Sequence, residues 1–187
     1  MMNRNDFIAR RISAPLEWFR IYCLYRRSFP RSERKPFRII VSMWKKGKTD
    51  VWYLAEGRRF AGFATTINGE ARILLDYLAV REKMRGRGAG SRMLEELKKQ
   101  YAGKGIFVEI ESAFENGKDQ LERVRRRKFY LKNGMESARV MASVFGVKME
   151  LLCWNCRVNF AEYRAFYRDN YSPWAAEHIV EADYPHN

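Results

Sequence analysis

The amino-acid sequence predicts an α/β protein of the α+β type, in which helices surround a central, mostly antiparallel mixed sheet. Several apolar runs of strand length follow one another with glycine-containing turns between them, which is typical of hairpins. Patterns with helical spacing lie before, between and after these runs. With 187 residues and 47% hydrophobic content, the chain has the size of one domain, and we expect residues 1–187 to share a single core.

The first elements are a short strand and a pair of helices. Phe7–Ile12 has strand character, and a helical pattern runs from Ala14 to Phe29. A second helix is expected from Pro36 to Gly47, so the helical pair covers about residues 14–47. Its basic and aromatic residues could bind single-stranded nucleic acid. The aromatic residues recur at helical spacing, however, which favours amphipathic helices with a solvated basic face.

Strands and helices share the rest of the chain. We predict the remaining strands at Val51–Glu56, Phe60–Ile67, Ala71–Val80, Ile106–Glu111, Glu136–Val144 and Val147–Leu152. Helices are predicted from Ser91 onward, over Gln120–Lys132 and over Val158–Tyr167. The last residues, about 172–187, are expected to be a tail that contains tryptophan and acidic residues.

The segment Leu74–Tyr101 has the clearest functional pattern. A buried-strand run passes into the basic loop Arg85-Gly86-Arg87-Gly88-Ala89-Gly90, and from Ser91 apolar residues recur at helical spacing. A glycine loop that opens a helix binds anions, because its backbone N–H groups can point inward and the helix start adds partial positive charge. The two arginines add full charges beside these amides. The expected ligand therefore carries phosphates.

Two common phosphate-binding motifs do not fit this loop. A Walker loop needs Lys and then Ser or Thr after its last glycine, whereas Ser91 and Arg92 follow Gly90. The dinucleotide fingerprint G-x-G-x-x-G fails at its sixth position from either possible first glycine. The pattern that does fit is Arg85-x-x-Gly88-x-Gly90 directly after a strand.

This pattern, from Val80 into Leu94, resembles the acetyl-CoA loop of the GCN5-related N-acetyltransferases, the GNAT family. A second string, Phe129-Tyr130-Leu131-Lys132-Asn133-Gly134-Met135, is similar to the family's F-Y-x-x-x-G-F element, with methionine in place of the last phenylalanine. Together the two motifs cover Leu74–Met135. The chain differs from the family at Arg123, where an asparagine is common seven residues before the tyrosine.

The resemblance implies a GNAT-like fold, acetyl-CoA as the cofactor and N-acetyl transfer as the activity. The pyrophosphate is expected at the loop and the helix start, and the pantetheine arm along the edge of the preceding strand. The implied cofactor-binding residues are Leu78, Ala79, Val80, Arg85, Gly86, Arg87, Gly88, Ala89, Gly90 and Ser91.

Acetyl transfer to a primary amine requires two proton movements. The amine, with a pKa of about 10.4 by analogy with lysine, must lose a proton, and the CoA thiolate, whose thiol pKa is about 8.5 by analogy with cysteine, leaves better when protonated. The resemblance implies Tyr130 as the acid and Glu109 as the base, with Glu111 and Asp76 as alternatives for the base. Each residue could instead have a purely structural role: Tyr130 as a half-buried core residue, and Glu109 as a partner in an ion pair.

Glu109 and Glu111 should share one face of their strand, because side chains alternate along it. Two carboxylates on one face would form a negative spot in a chain whose formal net charge is +14. Such a spot would favour a positively charged amine as the acceptor. The sequence leaves open whether that acceptor is a small molecule or a peptide.

The net charge leaves a second function class open. A basic module that binds nucleic acid or the ribosome, retaining an acyl-CoA fold without turnover, would explain the charge but not the placement of Gly88 and Gly90.

No membrane partner is expected, because no apolar run approaches the roughly 20 residues of a span and the N-terminus lacks a signal-peptide core. Three cysteines, with Cys153 and Cys156 in C-x-x-C spacing, favour reduced thiols over a metal site. We expect a cytoplasmic monomer or homodimer without a metal.

Overall fold

The structure, a computed structural model, describes residues 7–185 of the chain. Within these residues the elements follow in the order β1 (Phe7–Arg11), α1 (Pro15–Ser28), α2 (Phe37–Lys45), β2 (Thr49–Glu56), β3 (Arg59–Asn68), β4 (Arg72–Val80), α3 (Ala89–Gln100), β5 (Gly105–Glu111), α4 (Gln120–Lys132), β6 (Glu136–Val144), β7 (Val147–Trp154), α5 (Phe160–Asn170), α6 (Pro173–Glu177) and β8 (Ile179–Ala182). Short 3-10 turns cover Arg31–Glu33 and Glu82–Met84.

The strands form a mostly antiparallel sheet in the order β1-β2-β3-β4-β5-β7-β6-β8, and helices flank it. Antiparallel pairing joins β1 to β2, β2 to β3, β5 to β7, and β6 to both β7 and β8. This architecture confirms the predicted fold class. The predicted strands and helices are found with small shifts at their ends.

The C-terminal tail contains a short helix and a strand, to which the sequence analysis assigned no elements. The Ser172 hydroxyl accepts a hydrogen bond from the N–H of Ala175 (3.1 Å) and so caps α6. The following strand, β8, pairs with β6, with Met141 opposite Ala182. The tail strand therefore completes an edge of the sheet, a long-range pairing that local sequence does not reveal. Residues 186–187 of the predicted tail lie outside the described residues.

Contacts divide the chain into two compact units. The first contains residues up to Asn68 together with Leu75–Ala102. Its core joins side chains from β2, β3, β4, the helical pair and the residue after β1, namely Ile12, Ile21, Tyr25, Ile40, Val51, Tyr53, Phe60, Phe63, Tyr77 and Ala79. No helix among residues 7–185 is long and apolar enough to cross a membrane.

The second unit contains Gly69–Leu74 and the chain from Gly103 onward. Phe107 of β5 is fully buried and meets Tyr163 and Phe166 of α5, with ring centroids 6.2 Å and 4.9 Å apart. These edge-on aromatic contacts attach α5 to one face of β5. The expectation of one domain over the whole chain stays a prediction.

Candidate functional site

The strand end and the start of the glycine loop are fixed by backbone hydrogen bonds within the first unit. The N–H of Arg81, directly after β4, donates to the carbonyl oxygen of Ala61 on β3 (2.8 Å). A 3-10 turn follows and is closed by the N–H of Arg85, which donates to the carbonyl oxygen of Glu82 (3.0 Å). These bonds set the direction in which the chain enters the loop.

Two loop glycines adopt the left-handed backbone conformation that glycine tolerates best. Gly86 has φ 73° and Gly88 has φ 87°, the latter as the N-cap of α3. The first hydrogen bond of α3 runs from the N–H of Arg92 to the carbonyl oxygen of Gly88 (2.9 Å). The N–H groups from Ala89 to Ser91 therefore belong to the first turn, whose donors have no acceptor within the helix.

The space beside Gly86 in this loop is open. A Cβ atom placed on Gly86 would meet no other atom within 4 Å. An open, glycine-lined loop at a helix start is suited to a pyrophosphate, because backbone donors and the helix dipole both favour negative charge there. The predicted cofactor-binding segment thus forms one continuous strand, loop and helix start.

The two loop arginines have different surroundings. Arg85 is exposed, and its Nε donates to the carbonyl oxygen of Val80 (3.3 Å), so its charge stays at the loop. Arg87 forms an ion pair with Glu56 of β2, and its guanidinium lies 5.7 Å from the ring centroid of Phe7. Because Glu56 offsets the charge of Arg87, Arg85 is the stronger positive charge offered to a ligand.

Gly62 is a residue of this region that sequence reasoning missed. A Cβ there would lie 2.5 Å from the carbonyl oxygen of Ala79 and 3.2 Å from the Cα of Val80. Glycine is therefore required on β3 where the implied pantetheine-binding end of β4 approaches. A glycine inside an apolar strand pattern was the available signal, since it indicates close backbone approach.

On β4, the burial of side chains alternates. Ala79 is buried in the core of the first unit, whereas Leu78 and Val80 are half-buried. Asp76, an alternative base, forms an ion pair with Lys35 (2.6 Å) and is mostly buried. The ion pair with Lys35 explains why a charged residue is mostly buried at position 76.

Tyr130 lies on α4 in the second unit and is 6% exposed. Burial raises the pKa of Tyr130 to about 12, although the charge of Arg126 opposes this shift. Gly134 (φ 75°) ends the helix, and the N–H of Met135 donates to the carbonyl oxygen of Tyr130 (3.1 Å). The second sequence motif is thus a helix ending that fixes the position of the tyrosine.

Glu109 lies in the middle of β5, opposite Leu151 of β7, and is half-buried. Its carboxylate interacts with Tyr163 of α5, and burial together with this negative charge raises the pKa of Tyr163 well above its ordinary value. Tyr163 therefore stays a neutral phenol beside Glu109. The sequence carried no signal for this contact, because α5 and β5 are far apart in the chain.

Glu111 lies on the same face of β5 as Glu109, because side chains alternate along a strand. Its surroundings differ from the negative spot that the sequence predicts. The Nη1 of Arg123 is 3.5 Å from Glu111 and 3.4 Å from the carbonyl oxygen of Ser112. Arg123, at the position where the family often has asparagine, is 9% exposed. The pairing offsets the charge of Glu111, so this strand face is less negative than the sequence indicates.

The predicted thiols are present as free cysteines, with Cys153 buried and Cys156 half-buried. Among residues 7–185, no group of three or more His, Cys, Asp or Glu side chains could hold a metal ion.

Comparison with known proteins finds similarity to one family. Residues 47–136 match the family model of the acetyltransferase (GNAT) domain. The Bacillus subtilis (strain 168) protein named "Putative acetyltransferase YjbC" is 29% identical over 145 residues, which span 72% of this chain and 69% of that protein.

Solved structures agree with the observed fold. A GNAT-family protein from Bacteroides thetaiotaomicron superposes with a TM-score of 0.72 at 16% identity, covering 90% of this chain and 98% of its own. Arabidopsis thaliana NAA60, crystallised with acetyl-CoA, gives a TM-score of 0.64 at 16% identity, covering 79% of this chain and 97% of its own. None of these matches supports a binding module without turnover. Residues 47–136 are thus similar to the acetyltransferase (GNAT) domain, and the chain has the fold of the solved GNAT structures.

Proposed function

We propose that this protein is an acetyl-CoA-dependent N-acetyltransferase that moves an acetyl group to a primary, cationic amine by direct attack. The observation that carries this proposal is the strand–loop–helix segment with Gly88 at φ 87° as the helix N-cap, inside the region that matches the family model. Acetyl-CoA bound by the similar protein NAA60 supports the choice of cofactor.

The loop binds the pyrophosphate through the backbone amides from Gly86 to Ser91 and through the exposed guanidinium of Arg85. The edge of Leu78–Val80 pairs with the pantetheine amides as an added strand would. Acetyl-CoA supplies a thioester, whose acyl carbon is the electrophile and whose thiol is the leaving group.

Glu109 acts as the base in this proposal. A primary amine with a pKa of about 10.4 is mostly protonated at neutral pH, so a carboxylate must accept its proton, directly or through water. Tyr163 interacts with this carboxylate, and because burial raises the pKa of Tyr163, its phenol stays neutral.

Tyr130 assists the departing thiolate, and its pKa defines how. Complete proton transfer from a phenol of pKa about 12 to a thiolate whose acid has a pKa of about 8.5 is unfavourable by about 5 kcal/mol. Tyr130 therefore acts mainly by donating a hydrogen bond to the sulfur as negative charge develops on it. The elevated pKa keeps the phenol protonated for this role across the neutral range.

The acceptor is a small molecule or a peptide with a cationic amine, and Glu109 supplies the negative charge that attracts it. Glu111 contributes less than the sequence indicated, since Arg123 lies beside it. The cytoplasmic location and the monomeric or homodimeric state stay predictions.

A thiol-release assay tests the proposal. The protein is incubated with acetyl-CoA and a panel of cationic, neutral and acidic acceptors, including peptides with free N-termini, and acetylated products are identified by mass spectrometry. We expect turnover with cationic primary amines. The assignment is contradicted if acetyl-CoA does not raise the melting temperature of the protein and if no acceptor leads to its consumption.

A further inference from the structure

Two cysteines lie together at the end of β7, in the second unit. Cys153 is the second-last residue of the strand and is buried, whereas Cys156 follows the strand and is half-buried. Between them, Asn155 has φ 54°, a left-handed conformation that asparagine tolerates and that bends the chain. Cys156 is thereby folded against the start of β5, where a Cβ atom on Gly105 would lie 2.6 Å from the Cys156 sulfur. The C-x-x-C spacing thus forms a compact turn.

The two thiols are hydrogen-bonded to each other, and their pKa values shift in opposite directions. The hydrogen bond from Cys153 lowers the pKa of Cys156. Burial opposes this shift, while the charge of Arg72 and a hydrogen bond from the N–H of Trp154 add to it. The same bond between the thiols, together with burial, raises the pKa of Cys153. Thiolate character is therefore concentrated on Cys156, the less buried of the two.

The surroundings fix this sulfur in position. The guanidinium of Arg72 on β4 is itself held by an ion pair with Glu162 of α5 (2.7 Å). The negative charge of Glu162 opposes a thiolate at Cys156, but less than Arg72 favours it. In the thiol form, Cys156 donates to the carbonyl oxygen of Ile106 on β5 (3.7 Å). The sulfur is thus held between two strands, beside a positive charge.

This arrangement suits redox chemistry better than metal binding. Within residues 7–185, no group of three or more His, Cys, Asp or Glu side chains could hold a metal ion, so the two thiols lack the further ligands of a zinc site. A thiolate is the nucleophile in cysteine oxidation, and a second thiol beside it can resolve the first product into a disulfide. Cys156 has the first property and Cys153 the second.

We propose that Cys153 and Cys156 form a site of reversible oxidation by hydroperoxides. The Cys156 thiolate attacks the terminal oxygen of the hydroperoxide, the O–O bond breaks, and the other oxygen takes up a proton and leaves as an alcohol or as water. Cys156 is then a sulfenic acid. The sulfur of Cys153, losing its proton, attacks the Cys156 sulfur, the S–O bond breaks and water leaves. The hydroperoxide is thereby reduced by two electrons, and the two cysteines are oxidised to one disulfide.

Treatment of the reduced full chain with hydrogen peroxide in slight molar excess, without acetyl-CoA, tests this. We expect the thiols counted in denaturant to fall from three to one, and dithiothreitol to restore all three. Tryptic digestion of the oxidised chain should yield the peptide Met149–Arg157 lighter by two hydrogen atoms, because both cysteines lie within it. This measurement needs no variant.

Serine variants separate the two steps. Cys156→Ser should slow the loss of thiols about tenfold or more, because the reactive thiolate is removed. Cys153→Ser should stop the reaction at the sulfenic acid of Cys156, which dimedone then labels. Cys23→Ser is the matched control, since Cys23 is a half-buried cysteine of α1 outside the pair. This variant should form the disulfide at the parental rate.

The proposal is overturned if the peptide keeps both thiols, or if peroxide links two chains instead of closing this disulfide. It is also overturned if Cys156→Ser loses its thiols at the parental rate, or if dimedone labels no Cys156 in Cys153→Ser. The proposed acetyl transfer assigns no role to either cysteine, and acetylation is not measured. A negative result here therefore leaves the transferase activity to its own test.

Discussion

At the residue scale, Tyr130 differs from an exposed tyrosine in the acidity of its hydroxyl. Burial on α4 raises its pKa to about 12, and the helix ending at Gly134 fixes its position. Such a phenol donates a hydrogen bond well and loses its proton poorly. The motif in the sequence identified the residue, whereas the direction of its pKa shift required the packing around it.

Replacing Tyr130 with phenylalanine removes one hydroxyl and little packing. We expect kcat to fall by about one to two orders of magnitude, while the affinity for acetyl-CoA holds, because in the proposed mechanism the hydroxyl acts only as charge develops on sulfur. Steady-state kinetics and cofactor titration measure the two effects. Tyr101→Phe is the control: Tyr101 is also buried, and its hydroxyl donates to Asp50 (2.6 Å), so this change should lower stability without lowering kcat.

If Tyr130→Phe turns over a good acceptor at the parental rate, Tyr130 is a core residue without a catalytic role. A fall in kcat for Tyr101→Phe equal to that for Tyr130→Phe would show a general effect of losing a buried hydroxyl.

Glu109 and Glu111 have similar positions on β5 and different neighbours. Glu109→Gln should lower kcat/KM by about 10²–10⁴, and the acidic limb of the pH–rate profile should move or vanish, because the change removes the proposed proton acceptor. Glu111→Gln should change KM and stability slightly, since it releases Arg123 from an ion pair and removes no group from the reaction. Kinetics of both variants across pH distinguish these effects. A retained acidic limb in Glu109→Gln means that another group accepts the proton.

At the element scale, the glycine loop connects backbone conformation to ligand binding. Gly86 and Gly88 have positive φ, which lets the chain turn sharply between β4 and α3 and exposes the first amides of the helix. The spacing of these glycines in the sequence was sufficient to predict the loop, and its phosphate ligand stays a prediction. The charge of Arg87 was overestimated, because its pairing with Glu56 depends on the neighbouring strand β2.

Gly88→Val tests the loop. A β-branched residue at φ 87° is strained, and its side chain would occupy the space that the phosphates need. Acetyl-CoA at 100 times Kd should stabilise the parent by about 2.7 kcal/mol, and the variant should lose this stabilisation. Thermal melts with and without cofactor measure it.

Gly146→Val is the matched control for backbone strain. Gly146, in the turn between β6 and β7, has φ 85° and open space around it. This variant should lose stability yet keep the full shift on adding acetyl-CoA. Equal cofactor shifts in Gly88→Val and the parent mean that the loop does not hold the cofactor.

At the scale of the whole molecule, buried tyrosines predict sensitivity to alkaline pH. Burial raises the pKa of five of them, Tyr25, Tyr77, Tyr101, Tyr130 and Tyr163. Below a pH of about 10 these phenols are protonated in both the folded and unfolded chain, so they cost no stability. As pH rises further, the unfolded chain loses these protons first, and the free energy of unfolding falls.

We therefore expect cooperative unfolding above about pH 10, with phenolate absorbance and loss of circular dichroism rising together. Tyr163→Phe should make the decline in stability with pH shallower. Complete phenolate formation near pH 10 in a chain that keeps its circular dichroism would contradict the burial of these hydroxyls.

The sequence by itself determined the order of strands and helices, the glycine loop and the helix ending at Gly134. Each of these depends on local physics: side-chain periodicity, the conformational freedom of glycine, and the backbone donors at a helix start. Such signals lie within a few neighbouring residues and can be read without knowing what packs against them.

Only the tertiary structure decided which charges pair and which hydroxyls are buried. With 36 Lys and Arg residues and 22 Asp and Glu residues, the sequence cannot select Lys35 for Asp76 or Arg123 for Glu111. The electrostatic interaction between Glu109 and Tyr163 and the pairing of the edge strand β8 were likewise set by packing between distant segments. The physical reason is that ion-pair partners and burial depend on distances in space, and distant segments approach only when the core forms.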